Sequence, residues 1–170
     1  MSKSKIVGIM ALVAFAISIF LVGNAVAGEK HKLSAVFHQE KWEQMNVGEE
    51  EGHLIALWHG KGVIRNKEGK PFLEGAVTQP RCYIDLDSKA GLGSLYFYQE
   101  DTDRDGDKLY SKGPGTWKKG KLGPYWEGTF TFTGGTGKYK GIQGSGVWKN
   151  YPASPDLGYA DWELDLELPR

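Results

Sequence analysis

The densest run of chemistry-bearing side chains is Asp101-Thr-Asp103-Arg-Asp105-Gly106-Asp107. Carboxylates at alternate positions, with Gly at the sixth, match the opening of a calcium loop, where hard oxygens converge on a hard cation. The match stops at the twelfth position, where Lys112 stands in place of a bidentate Glu. Two readings follow. Either Asp101, Asp103, Asp105 and Asp107 hold Ca²⁺ with help from backbone carbonyls, or the segment is an Asp-Gly hairpin turn chosen for local backbone bonding.

The other reactive residues are sparse. His53 and His59 lie six apart in what reads as one strand, roughly 20 Å at strand rise, so they cannot share an ion unless the chain folds back. His31 and His38 are similarly spread, and no Cys-x-x-Cys, His-Glu-x-x-His or His-x-His spacing supports zinc, copper or haem. His53 follows Gly52 and precedes an apolar run, so it reads either as a strand-start surface residue or as a group turned into a cavity. Ser145 lacks the flanking pattern of a nucleophile elbow. Gly135-Thr-Gly-Lys138 invites a phosphate loop. The positions such a loop needs as Gly and as Ser or Thr hold Phe132 and Tyr139, and no helix follows to face a phosphate.

These residues need elements to carry them, and the chain supplies strands. From Trp126 to Thr133 the sequence alternates strictly, with Trp126, Phe130 and Phe132 on one side and Glu127, Thr129, Thr131 and Thr133 on the other. That period of two is a half-buried strand. A shaped turn at Gly134-Gly-Thr-Gly137 and a returning strand to Tyr151 follow. The last element, Tyr159 to Leu168, sets Trp162, Leu164, Leu166 and Leu168 against Asp161, Glu163, Asp165 and Glu167. Further strands are expected at Leu33–Phe37, His53–Trp58, Phe72–Thr78, Cys82–Leu86, Leu92–Glu100 and Lys108–Tyr110, with Pro80 breaking the chain and a short helical turn over Gln39–Asn46. About eight strands at this spacing suit a closed antiparallel barrel or a sandwich, and closure removes exposed edges.

Within this pattern, Phe132-Thr-Gly-Gly-Thr-Gly-Lys-Tyr-Lys-Gly-Ile-Gln-Gly144 resembles the F-x-G-G-T-G-x-[FY]-x-x-x-x-G signature of the allene oxide cyclase and dirigent-like barrels. The chain is particularly similar to small secreted bacterial members, many without an assigned function. Gly52-His53 and the Asp-Gly-Asp near residue 106 also sit where such proteins often carry Gly-His and Asp-Gly. The resemblance implies an eight-stranded antiparallel β-barrel, often a homotrimer, with a cavity for an apolar small molecule. It carries no activity over, because the plant enzymes' catalytic residues lie outside the glycine signature.

Residues 1–27 read as a signal peptide. Lys3 and Lys5 form a positive start, Ile6 to Val22 is nearly all apolar, and Ala25-Val26-Ala27 is a small-residue cleavage pattern. An uncleaved N-terminal anchor is the alternative, since the apolar stretch is long for a signal. Cleavage leaves residues 28–170, one β-barrel domain of 143 residues with 19 basic residues against 21 acidic and no membrane span. Such a balance offers no electrostatic footprint for nucleic acid. Cys82 is the only cysteine, so an exported chain must rely on its core and strand pairing.

Six Trp, eight Tyr and seven Phe remain to be explained. Inward rings in a small barrel either fill it or line an apolar pocket, and both readings stand. The first functional expectation is an exported, periplasmic or extracellular barrel that binds a small apolar or aromatic molecule through Trp58, Phe97, Trp126, Phe130, Phe132 and Trp148. The alternative is a cyclase-like or coupling-directing enzyme of the same shape, for which His53, Arg81 and Asp85 are the candidate groups. A third is a structural oligomer, with Ca²⁺ ordering the Asp101–Asp107 loop.

Overall fold

The computed structural model describes residues 28–48, 51–121 and 123–167. The signal segment expected at 1–27 and the last position of the terminal alternation, Leu168, lie outside them. Eight strands run in chain order: β1 Glu29–Asn46, β2 His53–Glu68, β3 Val77–Asp87, β4 Leu92–Thr102, β5 Lys108–Gly120, β6 Gly123–Gly135, β7 Gln143–Pro152 and β8 Leu157–Glu167. Each pairs antiparallel with its neighbour, and β1 pairs with β8 to close the barrel. The expectation of an eight-stranded antiparallel barrel holds, with no sandwich.

The alternation that wrote these strands also divides inside from outside. In β8, Ala160, Trp162, Leu164 and Leu166 are buried while Glu163, Asp165 and Glu167 are exposed. In β6, Trp126 and Phe130 are buried and Phe132 packs against the same core. Burying that apolar face is what drives closure, at about 25 cal/mol for each Å² removed from water.

Several local expectations need correction. Gln39–Asn46 is not helical; it is the second half of β1, held by pairing to β2 from Lys41↔His59 to Asn46↔Leu54. Glu40 is the unpaired residue of a bulge between Gln39 and Lys41, and the bulge brings Trp42 opposite Trp58 on the inner face. Pro80 does not break the chain; it lies within β3, opposite Gln99 of β4. Its missing N–H interrupts only the ladder to β2, whose pairing lapses between His59↔Arg81 and Gly62↔Thr78. Residues 72–76 form no strand. They fold inward as a plug, with Phe72, Leu73 and Ala76 buried and Leu73 at φ 54°. That left-handed backbone costs energy in a branched residue and persists because the packing of the plug fixes it.

The barrel therefore has two unlike ends. At one, the plug meets a single 3₁₀ turn, Gly137–Tyr139, and Phe72 packs edge-on against Tyr139 with ring centroids 6.0 Å apart. Ile142 is buried beside them. At the other end lie the β1–β2, β3–β4, β5–β6 and β7–β8 connections, and the interior there is not filled.

Candidate functional site

The unfilled half is a cavity of about 300 Å³ that opens at this second end. Aromatic rings form much of its wall. Trp58 comes from β2, Phe97 from β4, Trp117 from β5, Trp126 from β6, Trp148 from β7 and Trp162 from β8. The rings brace one another edge to face: Phe97 against Trp148 at 5.5 Å, Trp117 against Trp126 at 4.9 Å, and Phe37 against Trp162 at 5.8 Å. Such geometry sets the negative ring face of one against the positive edge of the next. Trp148 is further fixed by its indole N–H, which donates to the Thr129 carbonyl at 3.2 Å. Its ring lies over Gly115, where any Cβ would collide with it.

Aliphatic residues Ile84, Leu86 and Leu95 complete the sides. At the mouth stand Trp42, Pro155, Leu157 and Asp156, with Trp42 and Leu157 exposed. The β7–β8 loop is tied across to β1 by a hydrogen bond from the Gln39 N–H to the Asp156 carbonyl, 2.8 Å. The Asp156 carboxyl is held below its usual range by the Ser154 hydroxyl, which donates to it at 2.7 Å. Cys82 also faces the cavity, and burial pushes its thiol up to about 12. A thiol so protonated is a poor nucleophile, so it serves as a small apolar wall residue.

Beneath the cavity the inner face of β4 turns polar. Leu95, Phe97, Gln99 and Asp101 follow one another inward, and Asp101 is 2 % exposed. The Gln99 amide nitrogen donates to both Asp101 carboxylate oxygens, at 3.0 and 3.1 Å. Burial pushes the Asp101 carboxyl up to about 6, with Thr78 and Gln99 pulling the other way. Among the described residues no cation pairs with it. Ser111 and Asp101 border a small void of about 20 Å³ that separates this layer from the plug.

Set against the sequence, four of the six expected contacts, Trp58, Phe97, Trp126 and Trp148, line the cavity together. Phe130 and Phe132 lie lower, around the small void with Phe72. The three candidate catalytic groups are not inside. Strand alternation turns His53, Arg81 and Asp85 outward, where the His53 Nε2 and an Asp85 oxygen are 2.9 Å apart in a surface pair. His53 therefore does not enter the cavity.

The acidic run is likewise not one cluster. Asp101 belongs to the interior, while Asp103 accepts the N–H groups of Asp105 and Asp107 at 2.9 and 3.0 Å and the Tyr139 hydroxyl at 3.1 Å. The position a cation would take beside Asp103 is held by the Lys138 ammonium, 2.5 Å from Asp103 and 2.7 Å from Asp105. Those carboxylates raise the Lys138 pKa, and the Asp107 carboxylate accepts the Lys138 N–H at 3.1 Å. Among the described residues no group of three or more His, Cys, Asp or Glu is arranged to hold a metal. The loop is a clasp between the β4–β5 hairpin and the glycine signature.

Sequence reasoning missed Gln99, Asp101 as an interior group, Trp117, Trp162 and the β7–β8 loop. Gln99 and Asp101 continue the alternation of Leu95 and Phe97, so the period was there to be followed. No protein-family model matches the chain, and no curated protein matches its sequence. Among the described residues no helix is long and apolar enough to cross a membrane.

Proposed function

We propose that this protein is an exported barrel that binds a small apolar or aromatic molecule in the open half of its interior. The carrying observation is the cavity itself: about 300 Å³, walled by braced indoles and aliphatic side chains, with Cys82 and the rim residue Asp156 as its ionisable groups. A wall of that kind gains affinity from apolar contact and leaves orientation to a few polar groups. The volume stands at the lower limit for such sites, which suits a ligand of a few rings. The glycine signature supports a reading within the allene oxide cyclase and dirigent-like barrels, and with it a homotrimer. The N-terminal pattern supports export to the periplasm or outside the cell. The barrel exterior supports an aqueous setting, because Lys61, Arg81, Lys112 and Glu163 stand exposed at mid-strand, where a lipid-facing barrel carries an apolar band.

One observation favours an enzyme of the same shape: Asp101 is an inward carboxyl with a raised pKa, as a general acid or base requires. Gln99 stands between it and the cavity, so binding remains the function the geometry supports best.

Two measurements test the reading. Native mass spectrometry of the protein purified from its own envelope is expected to find a chain beginning at Gly28 with a co-purifying mass of a few hundred daltons. Tryptophan fluorescence, which the cavity's six indoles report, is expected to change saturably as an aromatic probe is added. A protein from which no probe elicits a saturable change is not a binder of this class.

A further inference from the structure

Of the three side-chain amides that line the cavity, Gln99 alone has a fixed orientation, and it lies at the inner end. Gln99 lines the cavity and, at the same time, the small void beneath it. Its neighbour Asp101, two residues along the same strand and on the same inner face, is a carboxylate that accepts hydrogen bonds and, when ionised, donates none. Of the two ends of the Gln99 amide, only the NH₂ can satisfy it. The amide is therefore locked with its nitrogen down on Asp101, at 3.0 and 3.1 Å, and its carbonyl oxygen turned away.

That oxygen has no protein donor among the described residues, and it is not among the buried polar atoms left without a partner. It retains solvent access, on a residue that lines the cavity. Gln39 and Asn150 also line the cavity, but among the described residues no side-chain hydrogen bond orients either amide, so each can offer a donor or an acceptor. Gln99 can offer only an acceptor.

Resting on the ligand-binding reading above, we infer that the site selects apolar or aromatic molecules that carry a hydroxyl or N–H at their inner end, which donates to the Gln99 carbonyl oxygen. Selection follows from asymmetry. A ligand without a donor leaves a carbonyl dehydrated in an indole-lined pocket, whereas a ligand with one replaces the water it displaces. Asp101 is the positioning residue: it touches no ligand and acts by fixing which end of the amide the ligand meets.

The probes are naphthalene, 2-naphthol and 2-methoxynaphthalene, followed by tryptophan quenching at pH 8. Naphthalene is the more apolar of the first two, so apolar transfer alone ranks it ahead of the naphthol. The wild-type protein is expected to reverse that order, binding 2-naphthol at least tenfold more tightly than either of the others. In Gln99→Met, which keeps length and apolar volume, the preference is expected to fall to threefold or less. In Asp101→Asn the amide can turn over, so the naphthol advantage is expected to shrink while naphthalene affinity stays within twofold. Asp101→Asn serves as the independent arm where Gln99→Met does not fold. Equal binding of the three probes by the wild type, or an undiminished naphthol preference in a folded variant, overturns the inference and leaves the cavity as an apolar binder. Absence of binding by all three overturns the binding reading as well.

Discussion

Asp101 is a carboxylate enclosed by the barrel with Thr78, Gln99 and Ser111 around it, and its energetics follow from that enclosure. Its pKa rises from 3.8 to about 6 chiefly because burial disfavours the charged form. The folded state thus holds this proton more tightly than the unfolded chain. Between about pH 4 and pH 6 the native state keeps the proton while the unfolded state has lost it, so stability falls as pH rises through that window and is then level. A shift of this size corresponds to about 3 kcal/mol. Asp101→Asn removes the charge and keeps an acceptor for the Gln99 amide. We expect the variant to exceed wild type at pH 7.5 by about 2–3 kcal/mol in urea unfolding, with the gap narrowing to about 1 kcal/mol by pH 4.5. An advantage that is the same at both pH values would contradict the assignment. The sequence concealed this residue because Asp101 heads a run of alternating Asp, and the calcium-loop pattern claimed it. The alternation with Leu95 and Phe97 gives its face, but its enclosure follows from barrel closure and the distant pairing with Thr78 of β3, which no local motif encodes.

At the level of elements, the glycine signature acts as a clasp. Gly137 stands at φ 48°, and a Cβ there would strike the Asp107 carboxylate. Thr136 bonds both ways with Lys108, accepting its N–H on the hydroxyl at 2.8 Å and donating its own N–H to the Lys108 carbonyl at 2.7 Å. Gly137→Ala is expected to cost about 2 kcal/mol, measured by urea unfolding, from the left-handed backbone and the displaced carboxylate. Because Lys138 already neutralises Asp103 and Asp105, millimolar calcium is expected to leave the melting temperature unchanged relative to EDTA. A calcium-dependent rise would show that the cation displaces Lys138. Strand existence was legible wherever apolar and polar residues alternate, as in β6 and β8. It was not legible in the exposed second half of β1, where Glu40-Lys-Trp-Glu-Gln-Met-Asn46 carries no period of two and pairing to β2 alone decides. Pro80 misled for a related reason: its cost is local to one ladder, and the β4 side of β3 compensates.

For the molecule as a whole, the abundance of rings was legible but their division was not. Loop 69–76 and the 3₁₀ turn supply Phe72 and Tyr139, which gather with Phe132 at the plugged end, while strand alternation turns Trp58, Trp117 and Trp126 inward at the open one. The difference arises from loop 69–76, which folds inward at one end, while the connections at the other leave the barrel open. An interior that is half filled has a consequence that a fully packed barrel lacks. Ala160 is buried, lines the cavity from β8, and pairs beside Ala35 of β1, so two small side chains stand together there. Leu at this position adds apolar volume into empty space rather than into a packed core. We expect Ala160→Leu to raise stability by roughly 1 kcal/mol through the added burial, seen as a higher melting temperature. The same side chain should weaken 2-naphthol binding at least fivefold by occupying its room. In a barrel whose interior is close-packed, the substitution would instead strain the fold and lower the melting temperature. The two outcomes have opposite sign, so one thermal melt separates a protein that keeps a cavity for a ligand from one that keeps its rings for itself.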